Sequence, residues 1–355
     1  MVCLAAVLLL GGSAQAATSK LPPLPVRWPH TLQIGLSEPP GEIFKPVGFR
    51  YQYLAGGVNT GQGWSTWNPD GTFVTRYENE TWAARQIPVF TYYMLLQSKP
   101  ADGSDELHKD LSNLQNAATM RAYWADVRLL FARAHSTKTV VVHVEPDLWG
   151  YLEQAGDVAL ARNFAHTWIA LRNRLAPNVV LAYHMSGWGT KHDIVYEDPP
   201  DATVRAYATQ SAAFYKSLHA RFDISFEDFS DRDAGFYDKV QGNPNTWFKP
   251  ADFHRHLLYA QTFVRLAGVR MVAWQIPLGN TVEPVENNTW GHYQDNRVQW
   301  ILGSRAHLQQ YAAAGFAGFM FGAGADGNTT ADTDGGYFKK QARAYYRARP
   351  LRLLP

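Results

Sequence analysis

Val140-Val-Val-His-Val-Glu-Pro-Asp147, followed directly by Leu148-Trp-Gly-Tyr151, decides how this chain is read. The run Thr139–Glu145 is rich in β-branched valine, which suits a buried strand. Pro146 stops it, with the carboxylates of Glu145 and Asp147 on either side of that proline and an aromatic pair beyond. Successive strand residues face opposite sides. If Val140, Val142 and Val144 point one way, then Val141, His143 and Glu145 point the other. An ionisable group on the inner face of a strand's C-terminal end is where barrel enzymes keep their chemistry.

Seven further runs can be picked outward from this one: Thr31–Leu36, Phe49–Ala55, Val89–Leu96, Val179–Met185, Phe222–Asp228, Arg270–Ile276 and Ala317–Gly322. Between the later runs lie helical patterns at 107–135, 158–175, 201–221, 250–267, 296–314 and 337–347. Pro250 with Asp252 suits a helix start, and Gly268 and Gly315 suit helix ends. Strand and helix in alternation predict an α/β fold with a parallel sheet, and eight strands over this length predict a (β/α)8 TIM-like barrel. The first run is weak and has no clear helix behind it. A distorted or seven-stranded variant is therefore the alternative. No repeat or linker divides the chain, so residues 17–355 read as a single barrel domain.

The 33 basic and 31 acidic side chains nearly cancel, leaving a formal charge of +2. That balance gives no reason to expect nucleic acid or an anionic membrane as a partner. Met1–Leu10 is apolar, and Ala14-Gln-Ala16 follows, so residues 1–16 read as a signal peptide. The run is too short to span a bilayer. The reading is a secreted protein, extracellular or periplasmic, acting as a monomer with no membrane contact after cleavage. The single Cys, Cys3, falls inside that segment. The mature chain then has no disulfide, no Cys-bound metal and no Cys nucleophile.

The alternation rule applied to the other runs nominates an inward polar set: Gln52, His143, Glu145, His184, Glu227 and Gln275. Val272, Trp274 and Ile276 share the opposite face from Gln275. Acids crowd two strand ends, with Glu145 and Asp147 on one and Glu227, Asp228, Asp231 and Asp233 on another. Two carboxyl groups facing each other across a sugar are the machinery of glycoside hydrolysis. Glu145, Asp147, Glu227 and Asp228 are the catalytic candidates. Aromatic content is 14%, with 12 Trp, and several fall just past strand ends. Trp64, Trp67, Trp149 and Trp188, with Trp247 and Trp290, could offer flat faces to pyranose rings. With Tyr92, Trp274, Asp231 and the polar set they make up the expected substrate contacts.

Glu145-Pro-Asp147 after an apolar strand resembles the acid motif of glycoside hydrolase family six, a family of inverting cellulases. The resemblance implies that Asp147 is the proton donor and Glu145 a supporting group. Asp231-Arg-Asp233 is similar to that family's Asp-Arg-Asp element, although it lies after the Glu-Pro-Asp motif here and before it in the family. The retaining barrel glycosidases place an Asn-Glu-Pro acid on the fourth strand and a Glu nucleophile on the seventh. Here Val144 stands in place of the Asn, and the seventh run carries Gln275. The substrate class implied is a polysaccharide or oligosaccharide, a β-glucan such as cellulose, cleaved without a cofactor.

Two other chemistries compete. His143, Glu145, His184 and Glu227 could bind a divalent metal, as in a sugar isomerase or deacetylase built on a barrel. A barrel that binds polysaccharide without cleaving it is the other. His254-Arg-His256 reads as helix surface. The oxygen-rich loop Asp326–Asp334 fits Asx turns better than a calcium loop.

Overall fold

In the computed structural model, which describes residues 20–322 and 324–354, eight short strands pair side by side, all parallel, into a closed barrel. They are β1 (Gln33–Ser37), β2 (Phe49–Ala55), β3 (Ile87–Tyr93), β4 (Val140–Val144), β5 (Val179–Met185), β6 (Ile224–Asp228), β7 (Met271–Ile276) and β8 (Phe316–Phe321). The proposed signal segment and Cys3 lie outside the described residues. The weak first run is a real strand. β1 pairs with β2 on one side and with β8 on the other, and so closes the ring. No helix separates it from β2, which is why the sequence left the strand count open.

Helices α1 (Trp64–Trp67), α2 (Thr72–Ala83), α3 (Glu106–Gln115) and α4 (Ala117–Ala134) cover the first half of the barrel. The helix predicted over 107–135 is in fact two helices. Asn116 breaks it, and its Oδ1 accepts the amides of Ala118 and Thr119, each at 3.0 Å, to cap α4. Next come α5 (Leu148–Ala155), α6 (Val158–Leu175), α7 (Asp201–Ser217), α8 (Ala234–Gln241) and α9 (Pro250–Ala267). α9 begins on Pro250 and stops at Gly268, whose φ of 74° suits a residue without a Cβ. α10 (Arg297–Gly303) and α11 (Arg305–Ala314) meet at Ser304, splitting the helix predicted over 296–314, and α12 (Tyr337–Arg347) completes the shell.

The proline-rich segment 20–30 ahead of β1 and the C-terminal residues pack together below the strands. Leu32 donates to the carbonyl of Leu351, and Leu353 donates to that of His30, both at 2.8 Å. Buried Arg270 at the start of β7 donates to the carbonyls of Pro22 and Leu354. The opposite end, where the strands finish, is open and carries the longer loops.

Candidate active site

A cleft of about 600 Å³ lies over the C-terminal ends of the strands. It is lined by Tyr53 from β2, Tyr93 from β3, Asp147 after β4, Trp188 and Asp193 after β5, Asp228 and Asp231 at and after β6, and Trp274 and Gln275 from β7. Glu106, Tyr151, Tyr196 and Tyr237 close the sides. Five carboxylates face the space, and the lining contains no Lys or Arg.

Asp147 is held unusually. Glu145 and Asp147, on either side of Pro146, have φ of 41° and 73°. Such backbone strain collects at functional sites. It brings the Asp147 carboxyl over the barrel, where Tyr93 Oη donates to Oδ2 at 3.3 Å. Burial pushes this carboxyl up to about 6, and repulsion from Asp228 and Glu106 adds to the rise. Asp228 sits across from it and accepts from His184 Nε2 at 3.1 Å. Asp231 accepts from Tyr237 Oη, and Glu106 accepts from Tyr151 Oη at 2.7 Å. Trp188 and Tyr151 form one aromatic wall, with ring centroids 4.8 Å apart. A Cβ on Gly150 would lie 2.7 Å from both Ser186 Cβ and the Trp188 ring, so glycine lets this wall approach the helix.

The same strain moves Glu145 out of the site. Simple alternation would put it inside with His143. At φ 41° the chain has left the extended conformation, and the carboxylate turns outward to accept the amides of Met94 and Leu95 at 3.2 Å. It is 1% exposed and sits outside the cleft lining. Burial raises it to about 8, with the hydrogen bonds from Tyr123 and these amides opposing the rise. Glu145 therefore braces the loop after β3.

Glu227 is also displaced, because β6 presents the opposite face from the one expected. Phe226 and Asp228 point in, and Phe226 packs on His143 with centroids 4.5 Å apart. Glu227 points to the helices, where His256 Nε2 of α9 lies 2.6 Å from its Oε1. Asp223, on the same side, pairs with Arg172 of α6. Polar residues on that face found partners in the helix layer rather than on the axis. His256, expected at the surface, is 4% exposed, whereas His254 does lie outside and pairs with Asp201 at 2.9 Å. With Glu145 and Glu227 both turned outward, the metal ligand set suggested by His143, Glu145, His184 and Glu227 does not converge.

Seven other expected contacts also miss the cleft. Gln52 shares its side of β2 with Arg50, whose guanidinium lies 4.1 Å from the Tyr77 ring of α2. Tyr53, the neighbour on the other face, is the one inside. Tyr92 likewise faces outward, donating to Asp126 Oδ1 at 2.7 Å and packing edge-on to Trp168, and its neighbour Tyr93 faces in. Trp64 is buried and donates to Asp126 at 2.8 Å. Trp149 is buried, donates to the Val144 carbonyl at 2.9 Å and packs on Tyr183. Trp67 is 59% exposed but stands edge-on to Phe73, away from the cleft. Trp247 donates to Asp238 at 3.2 Å, and Trp290 covers Gly327.

Trp274 and Gln275 both reach the site although they are consecutive. β7 pairs irregularly with β8 between Ala273 and Ile276, and Gln275 has φ of 54°. This bulge puts two adjacent side chains on one face. Trp274 stands edge-on to His143 at 4.8 Å, and Gln275 donates to Tyr53 Oη at 2.8 Å. His143 and His184 lie beneath the cleft on the barrel axis.

Asp233 does not line the cleft. It is fully buried and accepts the amides of Gly279 at 2.9 Å and Thr329 at 2.8 Å, tying the loops after β6, β7 and β8 together. Asp334 accepts the amides of Gly336 and Phe338 at the start of α12, as a helix-capping loop would.

No protein-family model matches the sequence, and no curated protein matches it. Among solved structures, the chain is similar to a Cellulomonas fimi endo-beta-1,4-mannanase double mutant at 13% identity and a TM-score of 0.53, covering 89% of this chain and 70% of that one. At this identity the likeness shows the shared barrel fold. A Mycobacterium tuberculosis endoglucanase Cel6 matches at 15% identity and TM-score 0.36, and a GH6 Orpinomyces enzyme at 14% and 0.34. The chain covers 66% and 65% of their lengths, just under two thirds, and they cover 67% and 68% of it.

Proposed function

We propose that this chain is a glycoside hydrolase that cleaves a neutral polysaccharide, a β-glucan, with Asp147 as proton donor and Asp228 as base. The observation that carries the reading is the Asp147 carboxyl, pushed up to about 6 inside a cleft that a second carboxylate shares. A general acid must hold its proton near working pH. Asp147 then protonates the leaving oxygen while Asp228 takes a proton from attacking water. Trp188, Tyr151 and Trp274 offer aromatic faces to the rings. Gln275, Asp231 and Asp193 offer acceptors and donors to hydroxyls. A lining whose charged groups are all carboxylates repels uronic or sulfated polymers, which is why a neutral chain is assigned. The β-glucan assignment rests on the resemblance of Glu145-Pro-Asp147 to the family six acid motif. Residues 1–16 suit export to where such polymers occur, and an N-terminus at Ala17 in secreted protein would agree with that.

The test is reducing-end release from a panel of neutral β-glucans and a polyuronide. Wild type should release ends from a neutral polymer only. Asp147→Asn and Asp228→Asn should each fall by about 100-fold or more while still binding it. Binding by wild type without any release would make the chain a polysaccharide binder.

A further inference from the structure

Beneath Asp228 lie two imidazoles that acid–base hydrolysis does not itself require. His143 and His184 are both fully buried. Their rings are near-parallel with centroids 5.1 Å apart, and Phe226 and Trp274 pack around them. Every ring nitrogen has one partner, and together they form a single line. Thr91 Oγ1 is 3.4 Å from His143 Nδ1. His143 Nε2 is 2.9 Å from His184 Nδ1. His184 Nε2 is 3.1 Å from Asp228 Oδ1.

The chemistry of the two ends fixes the direction of this line. A carboxylate only accepts, so His184 Nε2 carries a proton. Burial, with His184 alongside, pushes His143 well below the usual imidazole range, so that ring is neutral. A neutral ring has one donor and one acceptor nitrogen. Thr91 is fully buried and its hydroxyl has no other partner among the described residues, so it must donate to the ring rather than accept from it. Thr91 donates to His143 Nδ1, His143 Nε2 donates to His184 Nδ1, and His184 Nε2 donates to Asp228. Neither ring then has a free lone pair. A proton abstracted in the cleft must stay on Asp228 until it returns to solvent, because His184 cannot accept it.

We propose that His143 and His184 are positioning residues, a one-directional hydrogen-bonded pair that holds Asp228 by Oδ1 and leaves Oδ2 facing the cleft to activate water. The titratable groups that face the pair are Asp228 on β6 and Asp147 at the end of β4. The inference rests on the hydrolytic reading for its consequence but not for its geometry.

Two measurements test it on the full-length protein. Nitrogen-15 NMR of histidine-labelled wild type, with resonances assigned through single variants, reads the tautomers directly. Both rings should show protonated Nε2 and unprotonated Nδ1. A proton on Nδ1 of either ring overturns the proposal, whether or not the protein hydrolyses anything. Kinetics on the susceptible β-glucan supply the second measurement. His143→Leu removes the donor to His184, and kcat should fall about 10- to 100-fold with KM little changed. His143→Gln places an amide N–H near the Nε2 position and should recover most of the loss. A leucine variant that matches wild type per folded molecule, or a glutamine variant no better than leucine, overturns the positioning role. If no polymer is cleaved, the hydrolytic reading fails and the tautomer measurement still decides the direction of the chain.

Discussion

Replacing Asp147 by Asn should stabilise the protein at pH 8 while removing its activity on polysaccharide. In the fold this carboxyl titrates at about 6, against an ordinary value of 3.8. The folded chain thus binds the proton more tightly than the unfolded chain. Below about pH 4 the group is neutral in both states, and Asp and Asn behave alike. As pH rises from about 4 to 6 the unfolded chain ionises first, and the folded state loses stability. Above the folded value the loss is complete. Two units at about 1.4 kcal/mol each bound it near 3 kcal/mol, and partial solvent access reduces that to about 1–3 kcal/mol. Asn carries no charge and avoids the loss. With an unfolding entropy of about 2.1 cal/mol/K per residue, a chain of 355 residues gains roughly 1–4 °C in Tm. Calorimetric melting of both proteins at pH 4 and pH 8 measures it. Equal Tm differences at the two pH values, or a variant less stable at pH 8, would refute the claim that Asp147 is held protonated by its surroundings.

The remaining predictions separate the site from its scaffold. The high-pH limb of kcat/KM should fall above about pH 6, where Asp147 loses its proton; a profile flat to pH 8 would contradict that. Glu145→Gln replaces one acceptor that holds the Met94 and Leu95 amides, so it should cost about 1–3 kcal/mol of stability and less than about tenfold in kcat. A loss as large as that of Asp147→Asn would move the acid role back to Glu145. Glu227→Ala takes the carboxyl group away from buried His256, and chemical denaturation should register a loss of about 1–3 kcal/mol with KM unchanged. Trp188→Ala should raise KM for the polymer about tenfold, read from initial rates, because an aromatic wall of the cleft is lost.

The fold was largely legible in the sequence, because parallel strands announce themselves as apolar runs. β2 and β5 fall on the predicted residues Phe49–Ala55 and Val179–Met185, and α6, α9 and α12 on 158–175, 250–267 and 337–347. Helix breaks at Asn116 and Ser304 were hidden, since capping geometry does not interrupt the apolar period. The site was legible only in part. Asp147, Asp228, Asp231, Trp188, Trp274 and Gln275 reach the cleft. Glu145 and Glu227 do not, and the assumption that polar strand residues face inward is what failed. Asp223 with Arg172, Glu227 with His256, and Arg50 over Tyr77 are polar side chains, the first pair half-buried and the others buried, that the helix layer satisfies. Choosing the opposite parity for β2, β3 and β6 would have found Tyr53, Tyr93 and Asp228 together. Glu106 and Asp193 come from a helix start and a loop, where no periodicity marks them. The positive φ of Glu145, Asp147 and Gln275 breaks alternation at the strand ends, and residue type does not foretell it.

The central claim, that Asp147 delivers the proton to the leaving group, is tested most directly by changing that group. A dinitrophenyl leaving group departs without protonation, whereas a sugar hydroxyl does not. Asp147→Asn should therefore cleave β-glucan about 100-fold or more slowly than wild type yet turn over the dinitrophenyl glycoside of a matching oligosaccharide at a rate close to wild type. Equal losses on both substrates, or full activity on the polymer, would contradict it.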